Sequence, residues 1–123
     1  MPTCPYDETK PSFTFVPKKE KLSVPYEDII FFETGQTHTL FLHTASGIYS
    51  FFGTLAQITE FFKEADCFLR VGRSYLINLN HVSGQIGNDL SMSDGSIVQV
   101  PLRKQKQTLA AVENWKFRHP DPS

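Results

Sequence analysis

His38, His43, His81, Cys4 and Cys67 are the side chains of this 123-residue chain best suited to ligate a metal or attack a substrate. Their spacing supports neither. His38 and His43 stand five apart, so on a regular strand they point to opposite faces and cannot share an ion. His81 lies between Asn80 and Val82 with no acidic neighbour in sequence, and Cys67 precedes Phe68-Leu69, the setting of a small core residue. No HExxH, GxSxG, CxxC or Gly-rich phosphate loop is present. These absences predict a protein without catalysis and without a cofactor. Two cysteines make no secreted disulfide framework and fit a reducing cytoplasm.

Basic residues carry a stronger pattern. The whole chain has a net charge of −1, but residues 1–67 hold 5 Lys/Arg against 9 Asp/Glu and residues 68–123 hold 7 against 4. A polyanion would therefore be met by the second half. Arg70 and Arg73 open that half. Arg103, Lys104 and Lys106 follow Pro101, where a helical spacing of Leu109, Val112 and Trp115 begins. Helix starts favour acids because the macrodipole is positive there, so a basic first turn fits an end that holds an anion.

The elements that must position these groups are short strands. The length allows one domain with one sizeable core, and 40% hydrophobic and 20% charged residues are ordinary for a globular chain. Pro2, Pro5 and Pro11 mark residues 1–11 as an arm or linker remnant, residues 12–118 form the domain, and 119–123 are a tail. No apolar leader follows Met1. The uncharged stretch from Thr34 to Ile58 is too rich in Thr, Ser, Gly and Gln to span a membrane.

Alternation predicts strands at 13–16, 21–24 and 29–33, and a hairpin of 37–44 with 48–52 across Ala45-Ser46-Gly47. Three more strands, 82–86, 90–92 and 97–100, are separated by the turn dipeptides Gly87-Asn88 and Asp94-Gly95. Thr54 and Gln57 have capping-box spacing, and Leu55, Ile58, Phe61, Phe62 and Ala65 then form one helical stripe. A second helix is expected from Arg103 to about Trp115.

The segment Phe68-Leu69-Arg70-Val71-Gly72-Arg73-Ser74-Tyr75-Leu76-Ile77-Asn78-Leu79-Asn80-His81-Val82 resembles the signature of the LytTR family of bacterial DNA-binding domains. Ile29 to Thr34, Tyr49 to Leu55, Asp94-Gly95 and Val100-Pro101-Leu102-Arg103 follow in the family order, so the resemblance spans roughly residues 19–115. It implies a mostly β (α+β) fold, with short strands in small antiparallel sheets and one or two short helices. It also implies a cytoplasmic transcriptional regulator whose loops enter successive major grooves of double-stranded DNA at paired direct repeats, two copies per site. A receiver domain or a partner regulator is an expected associate, and no membrane is.

Carried over by position, the resemblance assigns base contacts to His38 and Arg103, with Arg73 as a third contact able to reach a base or a phosphate. Ser74 and Lys106 match phosphate-contacting positions, and Lys104 and Arg70 join them as cations; Arg70 has an internal salt bridge as its alternative. Strict alternation from Leu40 and Leu42 would turn His38 inward, so its role requires that the strand begin after it. Asn78, inside an apolar run, is expected to bond backbone in the turn after Ile77. A reading of another class is a protein-interaction module that pairs with a full-length regulator and blocks it without touching DNA. The acidic first half favours it and the basic set disfavours it.

Overall fold

Ile29, Ile30, Phe31 and Phe32 are consecutive, and all four are buried. A strand can bury neighbouring side chains only when both of its faces are covered, and that requirement organises the molecule. The computed structural model describes residues 11–119. In chain order its strands are β1 (Ser12–Phe15), β2 (Leu22–Pro25), β3 (Ile29–Thr34), β4 (Thr39–Thr44), β5 (Gly47–Phe52), β6 (Phe68–Val71), β7 (Tyr75–Asn78), β8 (Val82–Ile86), β9 (Asp89–Met92) and β10 (Ile97–Val98). Helix α1 spans Leu55–Phe61 and α2 spans Gln105–Arg118.

The central sheet has the order β5-β4-β3-β7-β6 and is antiparallel at every junction. One face is covered by the β1–β2 hairpin and α1. Phe13, Phe15 and Val24 from the hairpin meet Leu55, Ile58 and Phe62 over Phe32, Leu40, Leu42 and Leu76. Phe62 packs against Phe68 at 4.2 Å and Tyr26 at 4.8 Å between ring centres, the tilted and edge geometries aromatic pairs prefer. The three-stranded sheet β10-β9-β8 and α2 cover the other face. There Phe31, Val71 and Ile77 meet Leu90, Met92, Val98, Val112 and Trp115. The bulge between Ile29 and Phe31 lets β3 serve both cores.

Thr54 makes the expected capping box: its hydroxyl accepts from the Gln57 amide, and Gln57 Oε1 accepts from the Thr54 amide. The stripe behind it is less uniform than its spacing predicts. Leu55, Ile58 and Phe62 are buried, but α1 ends at Phe61, which stays 53% exposed at the rim beside Phe13. The second helix also starts later than expected. Leu102–Lys104 form a single 3₁₀ turn after Pro101, and α2 runs from Gln105 to Arg118. Pro101 is extended (φ −56°, ψ 144°), so the chain turns sharply before it can wind into α-helix.

Most of the expected arm and tail lie outside the described residues, as does Cys4. Of the two segments, the Pro11 carbonyl accepts from the Tyr26 amide, and the His119 ring stacks on Trp115 at 3.7 Å. Among the described residues no helix is long and apolar enough to cross a membrane.

Candidate nucleic-acid interface

The β6–β7 connection is Gly72-Arg73-Ser74, and Gly72 turns it with φ +63°. Two contacts fix its place. Arg70 donates from Nε to the Gly72 carbonyl at 2.9 Å, and the Ser74 carbonyl accepts from the Thr34 amide at 3.0 Å. The turn is thereby tied to the end of β3. Arg73 and Ser74 are exposed at its tip.

Beside it runs the segment after β10. The Lys104 amide donates to the Pro101 carbonyl at 2.8 Å, closing the 3₁₀ turn that holds Leu102, Arg103 and Lys104 outward. No side chain caps the start of α2 and its first turn holds no acid; the Gln105 amide donates to the Leu102 carbonyl, and the positive end of the helix dipole has no carboxylate in that turn. Arg70, Gly72, Arg73, Ser74, Pro101, Arg103, Lys104 and Gln107 together line an open groove of about 800 Å³. Five of the seven residues singled out from sequence thus converge on one concave surface. Lys106 lies outside it. Exposed on α2, it borders a separate depression with Gln85, Glu113 and Lys116.

His38 stands at the same end of the central sheet, because the β3–β4 loop adjoins the ends of β3 and β7. β4 begins at Thr39, so His38 is a loop residue and is exposed. The alternation that would turn it inward has not yet started. Thr37 and His38 both have positive φ (51° and 56°), and the Thr39 amide donates to the Gln36 carbonyl at 3.1 Å. This is a type I′ turn built without Gly, Asn or Asp, and a β-branched residue at positive φ is strained. Strain of this kind collects where a side chain must be held in a set direction.

Location, not pairing, sets these cations apart from the other basic residues. Among the described residues the one lysine or arginine joined to a carboxylate is Lys63, with Glu60 at 2.6 Å. Arg70, Arg73, Arg103, Lys104 and Lys106 have no such partner. The internal salt bridge considered for Arg70 is absent, since the guanidinium reaches only neutral oxygens, the Gly72 carbonyl and Thr59 Oγ1.

Other polar residues serve the fold. Asn78 is fully buried and donates from Nδ2 to the carbonyls of Ile29 (2.8 Å) and Tyr26 (3.2 Å), while its Oδ1 accepts from the Asn80 amide. Its reach across the molecule exceeds the local turn expected of it. His81 bonds the Ser93 hydroxyl and the Glu27 carbonyl. His43 is buried, stacks on Phe31 at 3.9 Å and donates to Glu33 at 2.7 Å. That pair lies ten residues apart, and only the strand register that sets β3 against β4 reveals it. Burial pushes the Cys67 thiol up, which favours its protonated form.

Fold and site together define a mostly β domain that presents a cationic edge made of turns. Residues 19–113 match the LytTr DNA-binding domain, and this chain belongs to that family. Among solved structures it is similar to the LytTr DNA-binding domain of a protein described as a methyl-accepting/DNA response regulator from Bacillus cereus. That likeness has a TM-score of 0.68 at 19% identity and covers 84% of this chain and 97% of the other. No curated protein matches the chain.

Proposed function

We propose that the chain is the sequence-reading part of a bacterial transcriptional regulator in the cytoplasm, and that it meets DNA with the edge of turns just described. Arg103, on a short rigid turn, is suited to donate two parallel bonds to guanine O6 and N7. His38 reads a second base edge from the strained loop, and Arg73 reaches the bases between them. Ser74, Lys104, Arg70 and Lys106 hold phosphates, with the positive end of the α2 dipole beside them. Two copies side by side on paired direct repeats complete the site, and a receiver domain or partner regulator supplies the signal.

The observation that carries this reading is the convergence of four cations, Arg70, Arg73, Arg103 and Lys104, on one groove. A module that only blocks another regulator has no use for them. The test is a footprint with this chain alone on promoter fragments carrying paired direct repeats. Protection of both repeats in register is expected. Absence of protection, together with capture of a full-length regulator, would establish the interaction module instead.

A further inference from the structure

Phe52 closes β5 and is 85% exposed, the most of any large apolar residue among the described residues. Its neighbour Phe51 faces the core, against Phe13, Phe15 and Phe32, so alternation sends Phe52 off the opposite face. There it pairs in register with Thr39, the residue after His38. The next amide along the chain, Gly53, donates to the His38 carbonyl at 2.7 Å. A bare aromatic ring is thus tethered beside the loop that carries the second base reader.

We propose that Phe52 determines specificity by packing against the 5-methyl group of a thymine adjacent to the base pair that His38 reads. The inference rests on the DNA-reading role proposed above. Thymine alone presents an apolar group in the major groove, and a phenyl ring can cover it with no polar atom left to desolvate. A protein partner laid across β4 and β5 is the competing occupant, since Phe41 and Ile48 share this face by register. The geometry disfavours it. Phe41 is folded onto Gly35, where a Cβ would lie 2.5 Å from its ring, and Ile48 is at the far end of β5, so no continuous apolar patch reaches Phe52.

The test begins with the whole chain selecting its preferred duplex from a randomised library. Each thymine of that duplex is then replaced in turn by uracil, which removes the 5-methyl group alone. One replacement, next to the position where His38→Ala loses discrimination, is expected to weaken binding about fourfold, the effect of burying one methyl group. Phe52→Ala should bind the thymine and uracil duplexes alike, and Phe52→Leu should keep the difference, both with wild-type melting temperatures. If no thymine responds, or if Phe52→Ala responds as the wild type does, the inference fails while the DNA-reading role stands. Normal binding of Phe52→Ala to one half-site with lost cooperativity on two would assign Phe52 to contact between copies and overturn the proposal. A library that enriches no sequence overturns both.

Discussion

Gly72 and Pro101 lie so close that no side chain fits between them: a Cβ on Gly72 would stand 2.7 Å from Cγ of the proline ring. This contact sets the spacing between the turn that carries Arg73 and the turn that carries Arg103. Gly87 has the same φ of +63° with nothing within 4 Å, so it isolates the backbone cost from the steric one. Gly87→Ala should lose about 1 kcal/mol of stability from the left-handed backbone alone. Gly72→Ala should lose a further 1–3 kcal/mol, roughly, by overpacking, and should weaken DNA binding where Gly87→Ala does not. Urea titrations and binding isotherms on the two variants check this; equal behaviour would show that the contact is dispensable.

The strained loop should trade stability for reading. His38→Gly relieves a positive φ and should raise stability by about 1 kcal/mol, while discrimination between cognate and scrambled duplexes falls. Thermal melts and paired binding titrations measure the two effects. A drop in melting temperature would mean that His38 supports the fold rather than the interface.

Arg103 and Lys106 should separate cleanly. Arg103→Lys keeps the charge but loses the planar fork, and should forfeit about 1–3 kcal/mol of discrimination at one guanine. Lys106→Ala should weaken every sequence alike. Titrations on single-base-substituted duplexes decide the matter. Retained discrimination in Arg103→Lys, or lost discrimination in Lys106→Ala, reverses the assignment.

Salt should report the number of phosphates neutralised. With three cations on phosphates (Arg70, Lys104 and Lys106), log affinity should fall against log salt with a slope of about −2.7, and any single Ala replacement among them should make it shallower by about 0.9. Fluorescence anisotropy across a range of chloride concentrations gives the slope. A value near zero is incompatible with the interface.

Alkaline pH should destabilise the domain in two steps. Burial is the main cause that pushes Cys67, Tyr26 and Tyr75 above their ordinary values. The folded state therefore holds these protons more tightly than the unfolded chain, and stability must fall as pH rises. The loss should begin near the free thiol value of about 8.5 and steepen past the tyrosine value of about 10. Urea midpoints between pH 7 and 10.5 test it, and Cys67→Ala should remove the earlier part of the decline. A midpoint that stays level over this range would contradict the burial of these groups.

Local chemistry made much of the fold legible in the sequence. Thr54 and Gln57 announce α1, Gly87-Asn88 marks the β8–β9 turn, and the alternation of Phe13 and Phe15 marks β1. What depends on distant partners was not. The bonds from Asn78 to Tyr26 and Ile29 join residues about fifty positions apart, and no periodicity encodes them. Phe61 belongs to the apolar stripe by spacing but stays half exposed at the rim, meeting Phe13 of the β1–β2 hairpin edge-on. At the candidate site, the basic residues could be read directly, but their convergence required the packing that sets Pro101 against Gly72. The turn at Thr37-His38 escaped because its residues are ones that such turns normally avoid.

All seven side chains proposed to meet DNA are solvent-exposed, on turns, on β6 or at the start of α2, and none belongs to either core. Exchanging an exposed side chain ordinarily changes stability by no more than about 0.5 kcal/mol. The reading set can therefore be rewritten several positions at a time without a new scaffold. Duplicated copies of such a domain are free to diverge toward different promoters while they keep the same folding route. The heavier constraint falls on Gly72 and Pro101, whose contact fixes the spacing of the turns that carry Arg73 and Arg103.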